Sequence, residues 1–188
     1  MLTYHAKFQY VSCLSWLCQY KIFHLVPLDN PISYENLSAA SGVPEQRLKS
    51  VLRMAMTNAL FREQADGKHV VHSATSALLA RDKDVYAYAT YMCTRSAPMA
   101  MHMAAASQRW GPATTRTYET AYNVAFNTDL PFFDHLARDE AMMSQFAAYM
   151  KSVRSSEAVD LKHLVSGFQW HKVPNGGCVV DVSNPAPI

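Results

Sequence analysis

The chain has 188 residues, of which 49% are hydrophobic and 17% are charged, and its formal net charge is +2. This content is sufficient for one ordinary core with further helices attached, and the near-neutral charge excludes a strongly basic nucleic-acid-binding protein. The apolar run 11–28 is interrupted by Gln19, Lys21 and His24, so it predicts neither a secretory signal nor a membrane span. We therefore expect a cytoplasmic protein.

The cysteines predict a reduced protein without a disulfide framework. They are scattered and form no C-x-x-C pair: Cys13, Cys18, Cys93 and Cys178. His69 and His72 lie three residues apart in a strand-like stretch, where they would face opposite sides. A zinc site needs paired ligands at short spacing, so we expect no metal site.

The first 58 residues predict helices separated by prolines and a glycine. Apolar residues at three-and-four spacing indicate a helix over residues 6–25. Ser33 stands at an N-cap position, and Gly42 is placed to end the short helix that follows. Pro44 is placed to begin a second helix that runs to about residue 58.

A β-hairpin is predicted next, because the pair Asp66-Gly67 separates the β-prone runs 60–63 and 70–72. Ser73 then stands at the N-cap of a short helix through about residue 80. Helix, turn, helix and hairpin in this order indicate a winged helix-turn-helix.

The rest of the chain predicts more helices and a single strand. A helix over residues 84–106 should be kinked or split at Pro98, which has no backbone N–H. Further helices are expected at 118–126, from 131, at 140–153 and at 161–165. The run Cys178-Val-Val-Asp-Val182 has the pattern of a buried strand. The fold class is therefore mainly α, with a winged helix-turn-helix, further helices and one orphan strand.

Four sequence blocks, in order, resemble the fungal polyketide-type O-methyltransferases that depend on S-adenosylmethionine. The blocks are KIFHLVP at 21–27 with ISYENL at 32–37; RMAMTNALFRE at 53–63 with HSATS at 72–76; AFNTDLPFF at 125–133; and GFQW at 167–170 with VVDV at 179–182. The resemblance covers about residues 14–182.

The resemblance implies three regions. Residues 1–80 would be a winged-helix dimerisation domain, 81–173 helices that roof the acceptor pocket, and 174–188 a remnant of the Rossmann-like domain that binds S-adenosylmethionine. In that family the winged helix pairs two subunits and does not read DNA. The implied partner is a second copy of the chain, or a full-length relative in a heterodimer.

Whether the chain is expected to bind S-adenosylmethionine depends on the residues after the last predicted strand. In the family, this strand runs into a glycine-rich turn, where side chains would block close approach of the cofactor. Here Asp181 is the remnant of that motif, and Val182 is followed by SNPAPI, which has no glycine. We therefore expect a chain truncated before its cofactor domain, without a catalytic residue, that binds no S-adenosylmethionine and is inactive as a methyltransferase alone.

The strongest candidates for contact with a ligand are Asn127, Phe132 and Phe133. Aromatic rings can clamp a flat hydrophobic molecule, an amide can bond its phenolic oxygens, and the resemblance places this block near the acceptor. The alternative is a helix-initiating turn capped by Asp129, with the rings buried. Two further candidates of the same kind are Trp110 and Met150.

Two other functions stay open. A methyltransferase-like cyclase or pericyclase would shape a pocket for a reactive polyketide without transferring methyl. A DNA-binding winged helix would use Arg47, Lys49 and Arg53, but these cations are partly balanced by Glu45 and are too few for a strong phosphate-binding face.

Overall fold

The computed structural model describes residues 2–154, 157 and 160–180, with side chains described from Phe8 onward. Contacts between residues divide the chain into two compact units, 1–152 and 153–188. The predicted boundaries at residues 80 and 173 are not tested by this division and stay predictions.

The first half of the larger unit alternates helices with three short strands. In chain order the elements are α1 (Leu2–Gln19), α2 (Ile22–Leu25), β1 (Ile32–Ser33), α3 (Tyr34–Ser41), α4 (Glu45–Met56), β2 (Arg62–Glu63), β3 (His69–Val71) and α5 (Ala74–Arg81). Helices α3 and α4 form the helix-turn-helix, and β2 and β3 form its wing. The prediction of a mainly α winged-helix fold is confirmed.

The predicted helix boundaries in this region follow local chemistry. Ser33 Oγ accepts a hydrogen bond from the Asn36 N–H at 3.1 Å, as expected of an N-cap. Gly42 ends α3 with φ of +70°, a conformation that glycine adopts without steric cost. Pro44 occupies the N-cap position of α4, one residue before the first helical turn.

The sheet has strand order β1-β3-β2, and both pairs are antiparallel. The β2–β3 hairpin was predicted, and the Asp66 carboxylate accepts the N–H groups of Lys68 and His69 at its turn. The pairing of β1 with β3, which places Ile32 opposite Val70, was not predicted. A two-residue strand carries too little alternation to be found from sequence.

The single helix predicted over residues 6–25 is wrong in one respect. Lys21 has a left-handed backbone with φ of 54°, which separates α1 from the single turn of α2. This turn directs Ile22 and Phe23 into the core, where both are fully buried. The requirement to bury two adjacent large side chains thus overrides the propensity to continue the helix.

The core lies where α1, α2 and the helix-turn-helix meet. Phe23 and Phe61 stack at its centre with ring centroids 5.2 Å apart. The residues of the core cluster with no exposed surface around this pair are Leu17, Ile22, Leu37, Leu48, Leu52, Ala55, Leu60 and Val70. Burial of this apolar surface supplies most of the driving force for folding the winged helix.

The second half of the larger unit is helical. It contains α6 (Lys83–Tyr91), a π-helical segment (Met92–Ser96), α7 (Ala97–Met101), α8 (Met103–Trp110), α9 (Ala121–Phe126), α10 (Phe132–Leu136) and α11 (Glu140–Arg154). The helix predicted over 84–106 is interrupted, but its break lies at His102 and not at Pro98. Pro98 sits in the first turn of α7, directly after the wide π turns, where its missing N–H costs little.

The smaller unit contains α12 (Leu161–Gly167) and a 3₁₀ turn, Trp170–Lys172. The strand predicted at 178–182 is wrong for its first three residues, because Cys178, Val179 and Val180 adopt no regular structure. A strand is stabilised only by pairing with a neighbour, and none pairs with these residues in the part of the chain that the structure describes. Asp181 and Val182 lie outside the described residues.

None of the helices that the described residues form is both long enough and apolar enough to cross a bilayer.

His72 is a buried polar link between α2 and α5. Its Nε2 donates to the Val26 carbonyl at 3.0 Å, and its Nδ1 accepts from the Ser76 hydroxyl at 2.9 Å. Burial lowers the pKa of His72 below its usual range, and the nearby charges of Arg81 and His24 add to this effect. The neutral imidazole is therefore the form that the folded state prefers.

We predict that the protein loses stability as pH falls through the range in which an unfolded histidine titrates. Below a pH of about 6.5 the unfolded state takes up a proton at His72 that the folded state resists. The free energy of unfolding must therefore decrease as the pH decreases. Urea midpoints measured between about pH 7.5 and about pH 5 should show this loss. In His72→Gln the change of the urea midpoint with pH should be clearly reduced. His171→Gln, at an exposed position of the smaller unit, should show the same change as the unaltered protein.

Candidate functional site

Four helices of the larger unit contribute rings to one aromatic cluster. Its members, from α6, α9, α10 and α11, are Tyr88, Tyr91, Tyr122, Phe126, Phe132, Phe133, Phe146 and Tyr149. Phe146 lies at the centre, with ring centroids 5.3 Å from Phe132, 5.9 Å from Tyr91 and 6.2 Å from Phe133. The cluster therefore joins the helices that follow the winged helix into one packed group.

The loop that leads into α10 is fixed by Asn123, whose side chain is buried. Its Nδ2 donates to the carbonyls of Thr128 and Leu130, each at 2.8 Å. Its Oδ1 accepts from the N–H and the hydroxyl of Thr120, at 3.2 and 2.7 Å. All four bonds of the amide are satisfied, so Asn123 sets the position from which α10 presents its two phenylalanines.

Tyr122 and His135 form a polar pair at the edge of the cluster. The Tyr122 hydroxyl lies 2.6 Å from His135 Nδ1, to which it is hydrogen-bonded. The Tyr122 ring is buried against Phe126 and Phe132, and burial raises the pKa of its hydroxyl. The phenol is therefore retained as a neutral hydrogen-bonding group that ties α9 to α10.

Arg95, on the π-helical segment, contacts two of the helices that form the cluster, α9 and α11. Its guanidinium lies 5.1 Å from the centre of the Phe126 ring, on α9. Its Nε donates to Gln145 Oε1, on α11, at 3.2 Å. One cation thus holds three elements together through a cation–π contact and a hydrogen bond.

The predicted ligand-contact residues fall into different positions. Phe132 and Phe133 both join the cluster, but Phe132 is half-buried between Tyr122 and Phe146, whereas Phe133 is 67% exposed. Asn127 ends α9 in a left-handed conformation with φ of 47°, and it is exposed.

The weaker candidates do not enter the ring contacts of the cluster as the structure describes them. Trp110 is the last residue of α8 and lies under the guanidinium of Arg109 at 4.7 Å. Met150 is 40% exposed on α11. The alternative role for Asp129 is wrong, because Pro131 occupies the N-cap of α10 and no side chain caps that helix.

Sequence reasoning missed Tyr122, Asn123 and His135. The signal for Asn123 was present, because Thr120 and Asn123 have the spacing of a capping box and form one. Tyr122 and His135 are thirteen residues apart on separate short helices, so only the fold brings them together.

An open apolar groove lies between α1 and the α7 region. Its volume is about 770 Å³, and its lining includes Phe8, Trp16, Cys93, Pro98 and Met101. Phe8 and Met101 are 59% and 64% exposed. Exposed apolar surface of this kind is typical of a site of contact with another molecule.

Two of the three cations of the predicted recognition helix α4, Lys49 and Arg53, are engaged within the protein, whereas Arg47 is exposed. Arg53 forms a two-pronged ion pair with Glu63, at 2.9 and 3.1 Å, and Lys49 pairs with Glu45 at 2.7 Å. The Tyr34 hydroxyl also donates to Glu63, at 2.7 Å, and these contacts lower the pKa of the Glu63 carboxyl, that with Arg53 most. Pairing reduces the positive field that α4 could offer to phosphates.

Within residues 2–154, 157 and 160–180, no three His, Cys, Asp or Glu side chains are grouped as metal ligands.

We predict that Tyr122→Phe destabilises the fold by about 1 kcal/mol, because it removes one buried hydrogen bond and leaves His135 Nδ1 without that partner. Urea unfolding should report the change. Tyr88→Phe provides the matched control, since Tyr88 is 42% exposed at the edge of the cluster and its ring is kept. Equal losses in the two variants would contradict the role assigned to the Tyr122–His135 pair.

Comparison with known proteins identifies the winged helix. Residues 2–82 match the family model of the O-methyltransferase dimerisation domain. The chain is 67% identical over 176 residues to the O-methyltransferase pgmB of Aspergillus terreus, covering 94% of this chain and 49% of that protein. It is 43% identical to the O-methyltransferase aurJ of Gibberella zeae over 181 residues, 96% of this chain and 41% of that one. The chain thus spans about half, or less, of the length of these relatives.

Solved structures share the fold. OxaC, in complex with sinefungin and meleagrin, superposes with a TM-score of 0.74 at 16% identity, over 92% of this chain and 42% of OxaC. A protein described as a pericyclic reaction enzyme superposes with a TM-score of 0.63 at 20% identity, over 85% of this chain and 42% of its own. The chain is therefore similar to fungal O-methyltransferases, and its residues 2–82 match the dimerisation domain of that family.

Proposed function

We propose that this chain is the dimerisation and acceptor-covering part of an O-methyltransferase of fungal aromatic polyketide metabolism. The observation that carries the proposal is the winged helix itself. It matches a dimerisation domain over residues 2–82, and two of the three cations on the predicted recognition helix, Lys49 and Arg53, are bound to Glu45 and Glu63. A winged helix that pairs most of its cations internally is better suited to contact with protein than with DNA.

The proposed partner is a second copy of the chain or a full-length relative. Exposed apolar side chains on the matched domain support this, among them Phe8 on α1, which borders the apolar groove. The buried free thiols of Cys13, Cys18 and Cys93 suit a cytoplasmic setting, where cysteines stay reduced.

We further propose that S-adenosylmethionine, the cofactor of the family, is held by residues other than 2–180, so that these residues alone transfer no methyl group. The sheet of the described residues is antiparallel, with strands of two or three residues. A methyl-donor site of the Rossmann type is formed at the carboxyl ends of parallel strands. Asp181 stays a predicted remnant of that motif.

The proposed acceptor is a flat hydrophobic molecule that lies against the exposed face of the aromatic cluster. Phe133 would make the contact, and Phe132, held between Tyr122 and Phe146, would support it from behind. Asn127, Trp110 and Met150 stay proposed contacts at the periphery. A cyclase or pericyclase function has only a shared fold in its favour, since the likeness to the pericyclic reaction enzyme is at 20% identity.

We predict that the purified chain is a dimer with twice its 21.1 kDa mass. Light scattering coupled to size exclusion should show this mass. Phe8→Glu, which places a charge on an exposed aromatic position of α1, should shift the protein toward monomer because an unpaired charge is costly in an apolar interface. Leu161→Glu, at a position 73% exposed in the smaller unit, should leave the dimer intact. A monomer at all concentrations would refute the proposed role.

We predict that the chain binds emodin, a flat hydroxyanthraquinone, and gives no heat with S-adenosylmethionine. Quenching of tryptophan fluorescence measures the binding of emodin, and calorimetry measures any binding of S-adenosylmethionine. Phe133→Ala should weaken emodin binding by about threefold or more, because it removes one aromatic contact.

Phe168→Ala serves as the control, since Phe168 is 51% exposed in the smaller unit. An equal effect of Phe168→Ala and Phe133→Ala would show that emodin binds apolar surface without selection. Micromolar binding of S-adenosylmethionine would overturn the proposal that the cofactor is held elsewhere.

A further inference from the structure

Arg95 brings a positive charge to one end of the aromatic cluster. It lies on the π-helical segment, and its guanidinium is 5.1 Å from the centre of the Phe126 ring. The Phe126 ring contacts Tyr122 at 4.9 Å, and Tyr122 contacts Phe132 at 5.0 Å. Phe132 in turn contacts the exposed Phe133 ring at 5.0 Å. The cation and the exposed ring are therefore connected by a continuous series of aromatic side chains.

Within the part of the chain that the structure describes, the Arg95 guanidinium uses one of its three nitrogen atoms. Its Nε donates to Gln145 Oε1 at 3.2 Å, whereas neither Nη atom has an acceptor among the described residues. Nor is either Nη atom sealed from water, because the completely buried side-chain atom that lacks a partner among these residues is Thr90 Oγ1. The two Nη groups are thus free to bond a molecule that approaches from outside.

The positive charge of Arg95 differs from that of Arg53, which is neutralised by the Glu63 carboxylate at 2.9 and 3.1 Å. The contacts described for the half-buried Arg95 are an amide and an aromatic ring, neither of which is negatively charged. Burial raises the pKa of the Tyr91 and Tyr122 hydroxyls, and the charge of Arg95 partly offsets this rise. A half-buried cation without an anion beside it favours the binding of one.

The groups around this cation fit a carboxylate that is attached to a flat aromatic ring system. The two Nη groups of one guanidinium form a planar fork that matches the two oxygens of a carboxylate. The Phe126 ring lies beside the fork, so the rest of a planar ligand would meet an aromatic surface. Asn127 follows Phe126 in the chain and is exposed, and its amide can bond a hydroxyl of the ligand.

We propose that Arg95 is a binding residue that selects acceptors with a carboxylate on a flat aromatic ring system. The proposal rests on the acceptor role proposed above for the aromatic cluster and adds the chemical class of the acceptor. Each Nη group donates to one carboxylate oxygen, while Nε keeps its bond to Gln145. Because Gln145 and the Phe126 ring already hold the guanidinium, little side-chain entropy is lost when the carboxylate binds.

The test compares two anthraquinones that differ in one substituent. Rhein carries a carboxylate, and aloe-emodin carries a hydroxymethyl group at the same position of the ring. Calorimetry on the intact chain should show that rhein binds about tenfold more tightly, because hydrogen bonds to a charged group are stronger than those between neutral groups. Equal affinities would overturn the proposal for Arg95 and leave the acceptor role of the cluster intact. Binding of neither compound would contradict both proposals.

Three variants assign the preference for rhein to one cation. In Arg95→Gln this preference should fall from about tenfold to about twofold or less, while the affinity for aloe-emodin stays the same. Gln145→Glu keeps Arg95 in place but gives it a competing carboxylate, so it should lower the preference in the same way. Arg47→Gln is the control, since it removes an exposed cation of α4 and should leave the preference unchanged.

The variants can also refute the assignment. A preference for rhein that persists in Gln145→Glu would exclude Arg95 as its source, even if Arg95→Gln does not fold. An equal loss of preference in Arg47→Gln and Arg95→Gln would show that rhein responds to the overall charge of the protein and has no selective site.

Discussion

The winged helix depends on the contact between Phe23 and Phe61, which stack at 5.2 Å in the centre of the core. Phe23 lies on the single turn of α2, and Phe61 lies just before the wing, so one contact joins the amino-terminal helices to the hairpin. Both rings are almost completely removed from water, and burial of each contributes about 2–3 kcal/mol. The local conformations around them follow from this burial.

Strain near Phe61 is balanced by hydrogen bonds. Ala59 and Phe61 both have positive φ, of 59° and 64°, which costs about 1 kcal/mol or more for each residue. The Ser73 hydroxyl donates to the Ala59 carbonyl at 2.6 Å and accepts from the Phe61 N–H at 3.2 Å. The same oxygen caps α5 through Ser76. One side chain therefore fixes the strained turn and the start of the next helix.

The helices after the winged helix are organised around polar side chains that bond from one element to another. Asn123 fixes the loop before α10, Arg95 links α9 and α11, and Tyr122 is bonded to His135. These bonds hold the aromatic cluster in one arrangement and leave Phe133 projecting from it. A rigid aromatic surface from which the Phe133 ring projects is a suitable contact for a flat molecule, because little side-chain entropy is lost on binding. This connects the packing of the region to the acceptor role proposed for it.

The sequence alone determined the helix-turn-helix and the hairpin, because these depend on local signals. Ser33, Gly42, Pro44 and the Asp66-Gly67 pair act within a few residues of their own positions. The tertiary structure decided the break at Lys21, the pairing of β1 with β3, and the neutralisation of Arg53 by Glu63. It also separated Phe133, which stays exposed, from Phe132, which is enclosed. The reason is physical: each of these features depends on groups distant in the chain, or on which face of a helix its neighbours cover, and no local pattern carries that information.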